Sequence, residues 1–207
     1  MSQDSRVAVP RFTEEDWERE FAQRISLTTP SDTARGVFCI GLLRAMEQLG
    51  DEETVRRCLE ASGEKKFIEL FNYPIATYLR MVDTAVRLLA AKHGGIEEAL
   101  RRIGRRAAAD FRESSAGRAM GVMHERDARR LLDCLPVVYR VALSFGAYAL
   151  TWVAPAHARF LVKRTFLLYP FHEGVLLELV GNMNVQRVKV LGRQTDALDS
   201  EYEISWE

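Results

Sequence analysis

The last residues of this chain alternate between apolar and polar side chains. Tyr202, Ile204 and Trp206 are separated from each other by single polar residues. A period of two places successive side chains on opposite faces of a strand, and an α-helix does not produce it. We therefore expect the chain to end in a half-buried strand whose three apolar side chains face the core.

Two longer apolar runs precede this ending, at residues 137–153 and 160–168, and both are rich in β-branched and aromatic residues. The short turn between the two runs favours an antiparallel hairpin. The remaining predicted elements are a helix that begins at Tyr169-Pro170 and a closing hairpin of residues 185–191 and 201–206. The predicted order is strand, strand, helix, strand, strand.

The first two thirds of the chain show a helical period instead. Thr29, Pro30 and Asp32 provide an N-cap hydroxyl, a proline for the first turn and an early carboxylate, so they predict a helix start. Gly36 and Gly41 in this helix leave room for a neighbouring backbone. The predicted helices cover residues 14–27, 30–49, 52–61, 75–93, 96–111 and 127–135, and Pro136 ends the last of them.

These elements define the fold class as α+β, with an N-terminal helical layer packed on a C-terminal antiparallel sheet. Residues 1–27 are expected to form an N-terminal tail with a short helix, and residues 28–207 a single α+β domain. A chain of 207 residues buries roughly 70% of its extended surface, so this domain needs no disulfide or metal to form a core.

Charge and cysteine content restrict the function classes. Lys plus Arg and Asp plus Glu both total 29, so no net charge attracts nucleic acid or an anionic membrane. The absence of a run of about 18 uncharged apolar residues predicts no membrane insertion. Cys39, Cys58 and Cys134 are isolated and the start does not resemble a signal peptide, so we expect a reducing, cytoplasmic location.

Several short motifs together resemble a known family. They are Arg35-Gly36-Val37-Phe38, Phe71-Asn72-Tyr73-Pro74, His93-Gly94-Gly95, Gly104-Arg105-Arg106, Ser115-Ala116-Gly117-Arg118, Leu135-Pro136, Tyr169-Pro170-Phe171-His172-Glu173-Gly174 and the ending, residues 199–207. The pattern is similar to that of a family of uncharacterised proteins of about this length, known mainly as many paralogues in myxobacteria. The resemblance covers about residues 28–207. It implies no catalytic residue, because that family has no established activity.

The order of the elements also resembles, more distantly, a ligand-binding fold. This fold is shared by 4-vinyl reductase domains, haem nitric-oxide-binding domains and the transport-particle subunits of Golgi traffic. Those proteins hold a small molecule, an acyl chain or a partner between the helical layer and the sheet, or at a dimer face. The resemblance implies an architecture, and function does not follow from the fold alone.

The chemistry that this second resemblance implies for haem is missing. The nitric-oxide-binding branch carries a helix histidine together with a Tyr-x-Ser-x-Arg motif, which is absent here. His93 directly precedes Gly94, where a histidine commonly caps the last turn of a helix. The 4-vinyl reductase branch often has cysteines near its final hairpin, and this chain has none after Cys134. We therefore expect no cofactor and no metal site.

Two groups of residues are candidate sites. The first predicts a ligand-binding pocket where the sheet meets its helix: Tyr169, Phe171, His172, Glu173, Trp152, Tyr202 and Trp206. The alternative is a capped helix whose aromatic side chains belong to the core. The second group, Arg101, Arg105 and Arg112, predicts a surface for an anion or an acidic partner, with a solvated helix face as the alternative.

No phosphate-binding loop and no nucleophile-elbow motif occurs in the sequence. We therefore interpret the chain as a non-enzymatic, cytoplasmic regulatory module that binds a small apolar ligand or a partner protein and forms a homodimer. The alternatives are an assembly scaffold without a ligand, or an enzyme on a small organic substrate that uses His172 and Glu173 as acid and base.

Overall fold

A helical layer from the first two thirds of the chain packs on a C-terminal antiparallel sheet, in a computed structural model that describes residues 12–119 and 126–207. This confirms the predicted fold class. The helices are α1 (Glu14–Ser26), α2 (Gly36–Leu49), α3 (Glu52–Ser62), α4 (Ile75–His93), α5 (Ile96–Glu113), α6 (Ser115–Ala119), α7 (Ala128–Ala142) and α8 (Tyr169–Gly181). The strands are β1 (Thr33–Arg35), β2 (Asn72–Pro74), β3 (Ala147–Ala154), β4 (His157–Lys163), β5 (Lys189–Asp196) and β6 (Asp199–Ser205).

The C-terminal sheet has the strand order β3-β4-β6-β5, with every neighbouring pair antiparallel. The chain order of strand, strand, helix, strand, strand is therefore confirmed. Tyr202 pairs with Phe160 and Ile204 with Ala158, and all four are 0% exposed. Trp206 lies beyond the end of β6 and is half-buried, so two of the three alternating side chains reach the core.

The prediction that Pro136 ends a helix and a strand begins at residue 137 was wrong. Helix α7 continues through Pro136 to Ala142, and β3 begins only at Ala147, after Gly146 turns the chain with a φ of 88°. A helix-interior proline normally costs about 3 kcal/mol. Burial of an apolar face offsets this cost, because Leu131, Leu135 and Ala142 recur at helical spacing and are buried.

The predicted helix start at Thr29 was also wrong, because the first turn of α2 begins at Gly36. The capping groups serve a turn instead: the Asp32 carboxylate accepts hydrogen bonds from the Thr29 backbone N–H at 2.7 Å and from Arg164 Nη2 at 2.9 Å. The room predicted at Gly36 is confirmed, since a Cβ there would lie 2.2 Å from the Ile68 carbonyl oxygen. At Gly41 a Cβ would meet nothing closer than 3.8 Å.

Helices α5 and α8 cross with their backbones in direct contact. A Cβ on Gly104 would lie 2.0 Å from the Phe171 carbonyl oxygen, and one on Gly174 would lie 2.0 Å from the Arg101 carbonyl oxygen. Only glycine permits this approach from both sides. The crossing fixes where the side chains of α8 stand between the helical layer and the sheet.

Helix α1 begins with a capping box, in which the Thr13 hydroxyl accepts from the Asp16 backbone N–H and the Asp16 carboxylate accepts from the Thr13 N–H. Trp17 is buried and donates its indole N–H to Asp83 at 2.6 Å. The predicted short helix is therefore present and packs on α4. Across the described ranges, no helix has both the length and the apolar character that crossing a membrane requires.

Candidate ligand-binding cavity

A cavity of about 100 Å³ lies where α5, α7 and α8 meet the segment of residues 165–167 that leads from β4 into α8. Its walls are almost entirely apolar. Phe38 and Phe111 stack at one side with ring centroids 5.6 Å apart, and Phe145 and Phe166 meet edge to face at 5.0 Å. Small side chains at Ala107, Ala108 and Ala142 leave the space open.

Three polar side chains of the cavity wall, Tyr139, His172 and Thr165, form a hydrogen-bonded chain centred on His172. The ring atom Nδ1 of His172 lies 3.1 Å from the Tyr139 hydroxyl, and Nε2 lies 3.0 Å from the Thr165 hydroxyl. Burial, assisted by the nearby charge of Arg24, lowers the pKa of His172 to about 3. The imidazole is therefore neutral at physiological pH, with one nitrogen donating and the other accepting.

One hydrogen-bond pattern satisfies all three donors. Tyr139 donates to Nδ1 of His172, Nε2–H donates to the Thr165 oxygen, and Thr165 donates to the Leu167 carbonyl at 3.5 Å. Burial raises the pKa of the Tyr139 phenol, so this donor keeps its proton. Among the described residues, the side chains of the cavity wall carry no charge, and this hydrogen-bonded chain leaves no imidazole N–H unused.

Arg24 lies behind this wall, with 2% of the residue exposed. Its Nη1 donates to the Thr165 carbonyl at 2.9 Å and to the Leu167 carbonyl at 3.4 Å, and its Nε donates to Glu20 at 2.8 Å. Burial lowers the pKa of Arg24 in spite of the Glu20 carboxylate. Sequence reasoning missed Arg24, because one arginine on a polar helix carries no signal of burial.

The predicted pocket residues of α8 divide between two sides of the helix. Phe171 and His172 line the cavity. Glu173 accepts from Arg101 Nε at 2.7 Å and from the Gly192 backbone N–H at 2.6 Å, and Tyr169 donates to Glu97 at 3.0 Å. His172 and Glu173 are neighbours in sequence, yet they bind separate groups, so the structure does not bring them together as an acid and a base.

The other predicted residues lie outside the cavity lining. Tyr202 is buried behind it, with its ring centroid 5.9 Å from that of His172. Trp152 and Trp206 meet edge to face at 6.0 Å at the far end of the sheet, where the Arg129 guanidinium stacks over Trp152 at 4.0 Å. Of the predicted arginine surface, Arg101 is paired with Glu173, Arg105 is exposed and Arg112 is half-buried.

The helical layer and the C-terminal sheet form an H-NOX-like α+β fold. An H-NOX protein from S. oneidensis in the Fe(II)NO ligation state has a TM-score of 0.66 at 11% identity, over 84% of this chain and 99% of that chain. The unliganded Fe(II) H-NOX protein from K. algicida has a TM-score of 0.62 at 13% identity, over 84% of this chain and 96% of that one. At these identities the likeness concerns the fold alone.

The family is defined by the sequence. Residues 27–207 match the model of DUF2378, a protein family of unknown function, and the chain belongs to it. A search of curated proteins gave no match. Helix α1, which contributes Arg24, lies before the matched segment.

The residues of the cavity do not fit the haem that the fold family implies. Haem iron takes an axial His, Cys, Met or Tyr. Among the residues that the structure describes, the cavity lining has no Cys or Met, both nitrogens of its one histidine are hydrogen-bonded, and its tyrosines remain protonated. A cavity of about 150 Å³ holds a single benzene ring. The present one, of about 100 Å³, is too small for a porphyrin. His93 stands elsewhere, at the end of α4 and 3.3 Å from the Leu49 carbonyl.

Proposed function

We propose that this chain is a non-enzymatic, cytoplasmic regulatory module that binds a small apolar molecule in the cavity between α5, α7 and α8. The observation that carries the proposal is an apolar cavity in whose wall Tyr139, His172 and Thr165 satisfy one another by hydrogen bonds. A ligand there loses its water and gains no charged partner, so charged and strongly polar molecules are disfavoured. An H-NOX-like fold is consistent with such a role.

The size of the cavity restricts the ligand further. An apolar cavity of about 150 Å³ takes benzene or xenon. At about 100 Å³ the cavity here suits an apolar gas or a molecule up to the size of one ring. The Tyr139 oxygen can still accept one hydrogen bond, so the cavity also suits a ligand that carries a single weak hydrogen-bond donor.

The proposed regulation uses the contact between the cavity wall and α1. Thr165 hydrogen-bonds to His172 through its side chain and to Arg24 through its carbonyl oxygen. A ligand that displaces the residue 165–167 segment therefore changes the docking of α1 as well. The proposed assembly is a homodimer, in which each chain carries its own cavity.

Xenon tests the cavity directly, because it is apolar and small enough to enter. We expect a single saturable site by ¹²⁹Xe NMR, and xenon density between Phe111, Val138 and His172 in crystals under xenon pressure. Ala108→Leu fills the cavity and should weaken xenon binding at least tenfold. Ala109→Leu, on the next residue of α5 and outside the lining, is the matched control and should bind as the wild type does.

Absence of xenon binding in the wild type, or equal binding in both variants, would overturn the proposal. Native mass spectrometry of freshly purified protein adds a second measurement. A stoichiometric apolar adduct supports the ligand, and consistently clean spectra together with absent xenon binding favour a scaffold. A Soret band after expression with haem supplied would contradict the assignment of an apolar ligand.

A further inference from the structure

The two edges of the C-terminal sheet differ in charge. Edge strand β5 carries Lys189, Arg193 and Asp196, whereas edge strand β3 contains no charged residue and no proline over its eight residues. Proteins usually protect exposed edges with charges, prolines or short strands, because unpaired backbone groups recruit further strands. In the part of the chain that the structure describes, β3 pairs only with β4. Its other edge has no charge and no proline, and its register shifts only near its end, between Trp152 and Ala154.

The outer face of the sheet shows the same asymmetry. Ion pairs join Arg159 of β4 to Glu203 at 2.9 Å and Arg193 of β5 to Glu201 at 2.6 Å. This charged network ends at β4. On the neighbouring strand β3, Thr151 lies opposite Arg159 and Ala149 lies opposite Leu161. The outward side chains of β3 are all exposed and all uncharged: Ala147, Ala149, Thr151 and Val153.

Helix α7, which packs on β3, adds an exposed apolar pair. Tyr139 of α7 contacts Tyr148 of β3 with ring centroids 4.8 Å apart, and Asp133 accepts the Trp152 indole N–H at 2.9 Å. Val137 and Val141, one turn apart on the same helix, are each 52% exposed. An unprotected strand edge and an apolar helix pair therefore belong to one unit of the fold.

We propose that β3 pairs with β3 of a second copy of this chain, antiparallel about a two-fold axis. The inference rests on the homodimer of the proposed function and identifies its interface. Two four-stranded sheets then join into one of eight strands, within the usual range. The occupant is a second copy because an antiparallel edge without charges is complementary to itself, and a two-fold interface requires self-complementarity.

Charge and layer geometry both favour this partner. The chain has equal numbers of acidic and basic residues, so two copies do not repel each other through net charge. A two-fold axis perpendicular to the sheet keeps both α7 helices on one face, next to each other. Stable interfaces generally bury more than about 1,000 Å² of surface in total, counted over both partners, and a strand edge alone buries less than this. The α7 helices supply the additional apolar area.

The first test is the oligomeric state by light scattering and native mass spectrometry. We expect a dimer at micromolar concentration. Thr151→Lys, near the middle of β3, opposes like charges across the axis and should raise the dimer dissociation constant at least tenfold. Leu191→Lys is the matched control, because Leu191 is 70% exposed on the other edge strand, and this variant should remain dimeric.

A monomeric wild type, or a Thr151→Lys variant that dimerises as well as Leu191→Lys does, would overturn the interface. The second test introduces one cysteine at a time at positions 147, 149, 151 and 153, in a Cys134→Ser background because Cys134 is exposed. Oxidation should cross-link the positions nearest the axis, whereas Leu191→Cys should not cross-link. Failure of xenon to bind a dimeric protein would count against the cavity proposal alone, and xenon binding to a monomer against the interface alone.

Discussion

The Arg24 guanidinium lies 2.9 Å from the Thr165 carbonyl oxygen, which ties helix α1 to the wall of the cavity. The contact spans 141 positions of the chain and joins a helix outside the family-matched segment to the loop between β4 and α8. Burying a guanidinium costs free energy unless its donors are used, and here two backbone carbonyls and Glu20 accept from Nη1 and Nε. The buried Nη2 lies 2.8 Å from Glu20 as an ion pair but makes no hydrogen bond. The docking of α1 therefore depends on these directional contacts as well as on the buried side chain of Trp17.

Replacing Arg24 should destabilise the protein more than replacing an exposed arginine of the same helix. Arg24→Met leaves the Thr165 carbonyl without its side-chain donor and Glu20 without its cation. We expect a loss of about 2–4 kcal/mol in the free energy of unfolding, measured with urea. Arg19→Met, at an exposed position, should stay within about 0.5 kcal/mol of the wild type. Similar losses in both variants would show that the buried contacts contribute little.

Replacing two helix glycines by alanine should change the stability of the protein in opposite directions. Gly104→Ala places a methyl group 2.0 Å from the Phe171 carbonyl oxygen, so α5 and α8 must separate. We expect a loss of at least about 3 kcal/mol, or failure to fold. Gly41→Ala meets nothing closer than 3.8 Å and should stabilise α2 by about 0.5–1 kcal/mol. Thermal and urea unfolding measure both effects, and equal effects at the two sites would contradict the close crossing.

His172 should make stability depend on pH. Its folded pKa is lowered to about 3, so between about pH 6.5 and 3 the unfolded chain binds a proton that the folded chain does not. The contribution of His172 to the free energy of unfolding is therefore fully present above pH 6.5. It falls on acidification by roughly 1.4 kcal/mol per pH unit. His172→Phe should flatten the slope between pH 6 and 4. Tyr139→Phe keeps the buried imidazole and should retain the slope. An unchanged slope in His172→Phe would show that His172 is protonated in the folded protein.

The ion pair of Asp32 and Arg164 should make the free energy of unfolding depend on pH over a lower pH range than His172 does. Hydrogen bonds from Arg164 and Thr29 lower the pKa of Asp32 to about 2. A lowered carboxylate pKa gives stability that is present above about pH 4 and lost as the pH falls toward 2. We expect Asp32→Asn to lower the free energy of unfolding by about 1–2 kcal/mol at pH 7 and by little near pH 2. The value at pH 7 is reduced because Arg164 is partly exposed to solvent. Glu47→Gln, at an exposed site, is the control. A cost for Asp32→Asn that does not change with pH would contradict the ionic contribution.

The elements that repeat a local pattern were predictable from sequence. The period of two at Tyr202 and Ile204, the helical period of α4 and α5, and the chain order around α8 depend on neighbours in sequence, and the structure confirms them. Errors arose where a local signal competed with packing. Val137, Val138 and Val141 have strand propensity, yet the buried face of α7 carried the helix past Pro136. The cap-like residues at 29–32 were used by a turn because Arg164 pairs with Asp32.

By itself the sequence determined the fold class, the order of elements and the family, because hydrophobic periodicity and motif spacing are properties of the chain alone. It also pointed to Phe171 and His172. Only the tertiary structure decided that His172 faces Tyr139 and Thr165 while Glu173 faces Arg101, that Arg24 is buried, and that small side chains of α5 and α7 leave a cavity. These features depend on how far apart two helices pack and on which residues distant in sequence meet across the gap, and no local pattern encodes those distances.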